Sequence, residues 1–313
     1  MAAAQKHPEL QRLSYMPVPT SIGRFAPSPS GPLHFGSLVS ALASFLDARK
    51  REGQWLVRIE DIDPPREVPG ASDQILKQLE DHGLCWDAEV LYQSSRLDSY
   101  RDCVEHLLNE GLAYHCQCNR QRLNNLSGIY DGHCRDLELN SSDHSARLRI
   151  DKRPSDIKFD DQIMGHYQQC VKSSVGDFVV QRRDRLFSYQ LAVVLDDEYQ
   201  GISHVMRGTD LLDSTPRQIY LQQCLGYRQP VYAHVPLALN SEGQKLSKQN
   251  LATGLHQGLE SQNLHQALHW LQQAPPKELA DQSVVEILRW ATDHWSLEPL
   301  ASNPTNAPAP AGC

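Results

Sequence analysis

No stretch of about 18 consecutive apolar residues occurs in the sequence, which excludes a membrane-spanning helix. The opening MAAAQKHPELQRLSYMPVPT lacks the charged-then-apolar order of a secretory signal, so the expectation is a soluble protein of the cytoplasm with no membrane partner. Cysteine is sparse: eight in 313 residues cannot make a disulfide scaffold. A basic excess is missing too, with 30 Lys and Arg against 38 Asp and Glu and a net charge of −8. That excludes a general polyanion binder acting by neutralising many phosphates, and a nucleic-acid partner would need a local basic face. Neither G-x-x-x-x-G-K-[ST] nor a well-placed G-x-G-x-x-G occurs, so neither a P-loop kinase nor a dinucleotide dehydrogenase is supported. There are no internal repeats.

What is present is enough apolar residue, 40%, to build a sizeable core in one large domain or two smaller ones. Residues 1–20 read as a loose leader. Ser21-Ile22-Gly23-Arg24-Phe25-Ala26 is a short strand running into the loop PSPSGPLHFGS, which Pro and Gly punctuate densely. Leu38, Ala41, Leu42, Phe45 and Leu46 then follow helical spacing, with a stop at Gly53, and Trp55 to Glu60 form a second strand. Strand, loop, helix and strand make a βαβ unit, whose right-handed crossover puts the loop at the carboxyl edge of a parallel sheet, where nucleotides bind. Helices are expected from Ser72 to Gly83 and from Ser95, as N-cap, to Gly111.

The stretch 112–182 changes character and reads as an insertion carrying three cysteines and short β pieces at Ala146–Ile150 and Phe178–Gln181. The α/β pattern resumes with the apolar run Leu191–Leu195, a strand over Ile202–Arg207 and a helix from Thr215-Pro216 to Gly226. Two helical patterns follow, around Leu264–Leu271 and Val284–Trp290. The final stretch is rich in Ala, Pro and Asn, a composition that cannot build a core. The expected organisation is a leader (1–20), a first half-domain (21–111), an insertion (112–182), a second half-domain (183–250), a short helical segment (251–296) and a disordered tail (297–313).

Three constellations carry chemistry. His34-Phe35-Gly36-Ser37 lies between a strand and a helix N-terminus, where backbone N–H groups and the helix dipole favour a phosphate. Lys245-Leu246-Ser247-Lys248-Gln249 follows Asn240-Ser241-Glu242-Gly243 on a loop after the apolar strand around Val231–Leu239; taken alone, the two lysines read as solvated. Cys116 and Cys118 sit one residue apart on a turn, with Cys134 downstream, and such thiolates can grip one Zn²⁺ at about 2.3 Å each. On residue chemistry alone His115 or His133 would be its fourth ligand ahead of Tyr130, imidazole being the commoner donor. Arg182-Arg183-Asp184-Arg185 is a small basic run that reads as a solvated loop.

As a pair, HFGS and KLSKQ resemble the HIGH and KMSKS motifs of class I aminoacyl-tRNA synthetases. The string from Gly23 to His34 and Arg58-Ile59-Glu60-Asp61-Ile62-Asp63 are similar to glutamyl-tRNA synthetases, as are Tyr189 in SYQLAVVLDD and Arg207-Gly208-Thr209-Asp210, so the resemblance covers roughly residues 21–250. It implies a Rossmann-type parallel α/β sheet with an inserted α+β zinc-containing, acceptor-like subdomain and a short helical C-terminal segment. It also implies ATP-dependent activation of L-glutamate to glutamyl-adenylate, with Mg²⁺ accompanying ATP. His34 and Lys248, with Lys245 a weaker partner, would stabilise the phosphates, and Gly36 and Ser37 would join them in binding ATP. Arg24, Phe25, Ala26, Pro27, Ser28, Glu60, Tyr189 and Arg207 would line the amino-acid pocket, Arg24 and Arg207 facing carboxylates and Glu60 the ammonium.

The resemblance favours Tyr130 as the fourth ligand of a structural Zn²⁺. Three positions depart from the family pattern: Ser37 for the second histidine of HIGH, Gln249 for the last serine of KMSKS, and Arg185 where glycine is more usual. Only 64 residues follow Gln249, too few for an anticodon-binding domain. This form resembles the shortened glutamyl-tRNA synthetase paralogs that transfer glutamate to queuosine at the wobble base of tRNA(Asp), and a monomer is expected. The rivals are a shortened enzyme that charges a tRNA 3′ end and a non-catalytic paralog that binds tRNA or glutamate. Joint retention of His34, Glu60, Arg24 and Lys248 counts against the second.

Overall fold

The computed structural model describes residues 21–126, 128–139, 143–240, 242–246 and 253–310. β1 (Ile22–Phe25) runs parallel to β2 (Gln54–Ile59) with α1 (Phe35–Lys50) between them, which is the expected βαβ unit. Both strands are buried on both faces, as in a parallel sheet covered by helices. α2 (Ala71–Asp81) follows, and β3 (Leu91–Tyr92) adds parallel to β2. α3 (Leu97–Asn109) is not capped by Ser95: that residue lies in a preceding 3-10 turn, where its hydroxyl donates to the Tyr92 carbonyl at 2.7 Å.

β4 (Ala113–Cys116), β5 (Ser145–Leu148) and β8 (Val179–Gln181) form a small antiparallel sheet in the order β4-β5-β8, with α4 (Arg120–Asn124) after β4. Between β5 and β8 the chain makes a hairpin of β6 (Asp156–Asp161) and β7 (Gly165–Cys170), then α5 (Val171–Ser174). α6 (Tyr189–Tyr199), β9 (His204–Gly208), α7 (Thr215–Leu225) and β10 (Val231–Val235) complete the second half. β10 pairs in parallel with both β9 and β6, so the hairpin from within 112–182 belongs to the same sheet as β9 and β10. The two half-sheets meet at β1 and β9: Ser203 N donates to the Ile22 carbonyl at 3.0 Å and Ile22 N to Ser203 Oγ at 2.8 Å.

After β11 (Ala238–Leu239) come α8 (Glu260–Trp270), α9 (Val284–His294), α10 (Glu298–Ser302) and β12 (Ala307–Pro308). α1 is buried nearly all round rather than along one stripe, because Leu264, Leu268, Ile287 and Ala291 of α8 and α9 share its core with Trp55 and Ile59 of the sheet. Within the last segment, Leu300 of α10 is fully buried in that core, and Ala307 and Pro308 pair with Ala238 and Leu239. Among the described residues no helix is long and apolar enough to cross a membrane.

Candidate active site

A cavity of about 750 Å³ opens where the carboxyl ends of β1 and β9, the loop 26–34 and the start of α1 converge. His34 caps α1 from an extended backbone, and its Nδ1 accepts from Ser37 N at 3.3 Å. An accepting Nδ1 puts the ring proton on Nε2, so His34 is a neutral donor on the cavity wall beside the positive end of a helix dipole. A Cβ on Gly36 would lie 3.2 Å from the His34 ring, a tight contact, so glycine gives that ring room beside the helix start. Leu246 N donates to the Ala238 carbonyl at 2.8 Å and its side chain is buried, which anchors the chain here and sets Lys245 on the cavity rim, its ammonium paired with Asp210.

Arg24 on β1 presents Nε and Nη2 to the two oxygens of Asp197 on α6, at 3.1 and 3.3 Å. Arg58 on β2, wholly buried, donates to the same carboxylate at 2.8 Å and to Gln200 at 2.8 Å. Burial opposes the Asp197 charge, but the two guanidiniums outweigh it and hold the carboxyl below its usual range. Asp196 accepts from Gln93, Arg96 and Tyr100 at 2.8, 3.1 and 2.6 Å. Glu60 N donates to the Pro27 carbonyl at 3.0 Å. Its side chain lies 3.6 Å from Arg58 Nη2, and its Oε1 has no hydrogen-bond partner. Burial pushes the Glu60 carboxyl up to about 7 against the pull of Arg58 and Arg24.

Across the cavity, Arg207 on β9 donates from Nε to His234 Nε2 at 3.1 Å, from Nη2 to Thr215 Oγ1 at 2.8 Å and Gln218 Oε1 at 2.7 Å, and from Nη1 to Tyr189 Oη at 3.3 Å. His234 Nδ1 lies 2.6 Å from Asp161 Oδ2, both side chains fully buried.

Away from this cavity, the Sγ atoms of Cys116, Cys118 and Cys134 lie within 4.8 Å of one another, and neither His115 nor His133 joins them. Tyr130 does: its Oη is 3.3 Å from Cys116 Sγ and 3.4 Å from Cys118 Sγ, and it accepts from Cys134 N at 3.1 Å. Arg147 donates from Nε to Cys116 Sγ at 3.3 Å, with its guanidinium 4.0 Å over the Tyr130 ring. Burial acts against the Cys116 thiolate, but hydrogen bonds from Tyr130 and the Cys118 backbone and the Arg147 charge leave its thiol below the ordinary value. Three sulfurs thus converge as a set that could hold a metal ion, of the thiolate type that Zn²⁺ takes, with the Tyr130 phenol oxygen beside them.

The sequence matches a family model described as tRNA synthetases class I (E and Q), catalytic domain, over residues 22–267. A glutamyl-Q tRNA(Asp) synthetase of Pseudomonas aeruginosa strain PAO1 is 52% identical over 274 residues, covering 88% of this chain and 93% of that relative. One from Escherichia coli O6:H1 is 51% identical over 276 residues, covering 88% and 89%. The chain belongs to the glutamyl-Q tRNA(Asp) synthetase family of class I tRNA synthetases.

It is therefore a ligase enzyme. A glutamate tRNA ligase from Elizabethkingia meningosepticum, crystallised with its amino acid, superposes with a TM-score of 0.75 at 25% identity, covering 92% of this chain and 66% of that one. The glutamate-tRNA synthetase of Elizabethkingia anophelis shares the fold with a TM-score of 0.76 at 24% identity, covering 92% and 68%. The chain thus spans about two thirds of these structures and nearly all of its curated relatives. In the synthetase, one cavity gathers Arg24, Phe25, Ala26, Pro27, Ser28, His34, Gly36, Ser37, Tyr189, Arg207 and Lys245 on its wall. Glu60 lies behind that wall, beside Pro27, and Lys248 falls outside the described residues. Sequence reasoning missed Asp197, His234, Asp161 and Asp210. A usable signal existed for the first: an acidic pair ending the apolar run LAVVL must be either exposed or paired.

Proposed function

We propose that this synthetase activates L-glutamate with ATP, Mg²⁺ accompanying the nucleotide, and transfers the glutamyl group to queuosine at the wobble position of tRNA(Asp). A carboxylate oxygen of glutamate attacks the α-phosphate and pyrophosphate leaves. A hydroxyl of the queuosine cyclopentenediol then attacks the acyl carbon, AMP leaves, and an ester remains on the modified base. The likeness to relatives bearing that name, along nearly their full length, carries the reading.

The residues support the first step by positioning and electrostatics rather than covalent help. His34, with Gly36 and Ser37 at the start of α1, holds the phosphates, and Lys248 and Lys245 meet the charge that builds on pyrophosphate. Arg24 gives Asp197 two of its five N–H groups and keeps three for a carboxylate. Arg207 with Tyr189 takes the other carboxylate, and the carboxylate of Glu60, whose Oε1 faces Arg58, takes the ammonium. Phe25, Ala26, Pro27 and Ser28 shape the wall between them. Cys116, Cys118, Tyr130 and Cys134 hold one Zn²⁺ whose part is to cross-link the loop between β4 and β5.

The test is to incubate the enzyme with ATP, labelled glutamate and tRNA(Asp) with and without queuosine, then locate the label. Label confined to the queuosine-bearing anticodon fragment is expected. Label on the 3′-terminal adenosine overturns the acceptor, and absence of glutamate-dependent pyrophosphate exchange overturns the enzyme reading altogether.

A further inference from the structure

We propose that His234, oriented by Asp161, is the positioning residue that aims Arg207 at the side-chain carboxylate of the substrate while leaving its charge unneutralised. The inference rests on the reading of Arg207 as a glutamate-binding residue.

Parallel pairing of β9 and β10 sets His234 directly beside Arg207. Asp161 is itself fixed, its Oδ1 accepting from the backbone N of His234, Ile163 and Met164 at 3.0, 3.0 and 2.9 Å. Its Oδ2 accepts the hydrogen bond of His234 Nδ1–H, which leaves Nε2 with a lone pair, and that lone pair receives Arg207 Nε–H. Burial and the Arg207 charge keep the imidazole neutral against the pull of Asp161. The Arg207 fork is therefore held from behind by an imidazole, a threonine hydroxyl and a carboxamide, all uncharged.

The contrast with Arg24 shows what this achieves. Arg24 lies against Asp197, whereas among the described residues Arg207 makes no ion pair, and Asp161 reaches it only through the His234 imidazole. Neutral acceptors fix direction and leave the full cationic charge for the ligand. A site of that kind prefers a carboxylate over the isosteric carboxamide, so His234 serves the choice of glutamate over glutamine.

The experiment compares His234→Leu with His234→Gln, whose carboxamide oxygen can stand in for Nε2, by pyrophosphate exchange with glutamate and with glutamine. For His234→Leu the glutamate KM is expected to rise roughly tenfold or more and the preference over glutamine to fall, with the ATP KM unchanged, and His234→Gln should recover most of the loss. A folded His234→Leu enzyme with wild-type glutamate KM and preference overturns the proposal, as does a His234→Gln enzyme as impaired as His234→Leu. Should His234→Leu fail to fold, Asp161→Asn replaces it: its amide donates to Nδ1 and so moves the ring proton to Nε2, where Nε2–H faces Arg207 Nε–H, and the same losses are expected. Arg207→Ala, measured in parallel, separates the two layers. If it leaves the glutamate KM unchanged, the reading of Arg207 falls; if it alone raises that KM, only the role of His234 falls.

Discussion

Glu60 is a buried acid with one oxygen unpartnered and a carboxyl raised to about 7, so its charge depends on pH where enzymes work. The neutral form predominates below that value and the anion above it, and only the anion attracts an ammonium. The glutamate KM is therefore expected to fall as pH rises through about 7 and to level off above it. Glu60→Gln should show a raised KM without that step, and steady-state kinetics from pH 5.5 to about 8.5 check both. For stability without ligand the sign is opposite. A raised folded-state value means that the contribution is present below the ordinary carboxylate range and is lost as pH rises through about 7. Glutamate should restore part of it by binding the folded state.

At the level of elements, the loop that carries the cysteines is held by a close backbone approach. Gly176 has φ of 71°, and a Cβ there would lie 2.2 Å from the Tyr130 carbonyl oxygen, where the two residues form a bridge. Gly176→Ala must displace the backbone at Tyr130, and with it the phenol oxygen that lies beside the sulfurs. Elemental analysis should find less zinc per chain in Gly176→Ala and in Tyr130→Phe than in the wild type. Full zinc in Tyr130→Phe would remove Tyr130 from the ligand set. In the turn before α6, Arg185 adopts φ of 69°, the left-handed region in which glycine is at ease and other residues are strained. Arg185 therefore holds a backbone conformation that a glycine would adopt without strain.

On the scale of the molecule, the C-terminal helices are part of the catalytic core. α8 and α9 cover the side of α1 that faces away from the sheet, and α1 carries His34 at its start. Leu268 is fully buried in this layer, so Leu268→Ala should lower stability by about 2–5 kcal/mol through lost transfer energy and a residual cavity. A shift of the urea midpoint with an unchanged slope is the expected reading. The α8–α9 layer ties the His34 end of the cavity to a segment whose own sequence shows only modest helical periodicity.

The features legible from sequence are those written in consecutive residues. HFGS, the Gly23–His34 string and the C-x-C turn each lie within one loop, and the βαβ unit is a local pattern of periodicities, so family and fold class followed from them. The supports of the two pocket arginines could not be read that way. Asp197 lies 173 positions from Arg24, and Asp161 lies 73 from His234, and nothing in either local sequence names the partner. They meet because β1 adjoins β9 and β10 adjoins both β9 and β6. The sequence alone therefore determined which charges the site holds. The sheet order decided which of them is neutralised, Arg24 being paired with a carboxylate in contact and Arg207 held by neutral acceptors, because ion pairing and hydrogen bonding act over a few ångströms and only tertiary structure sets those distances.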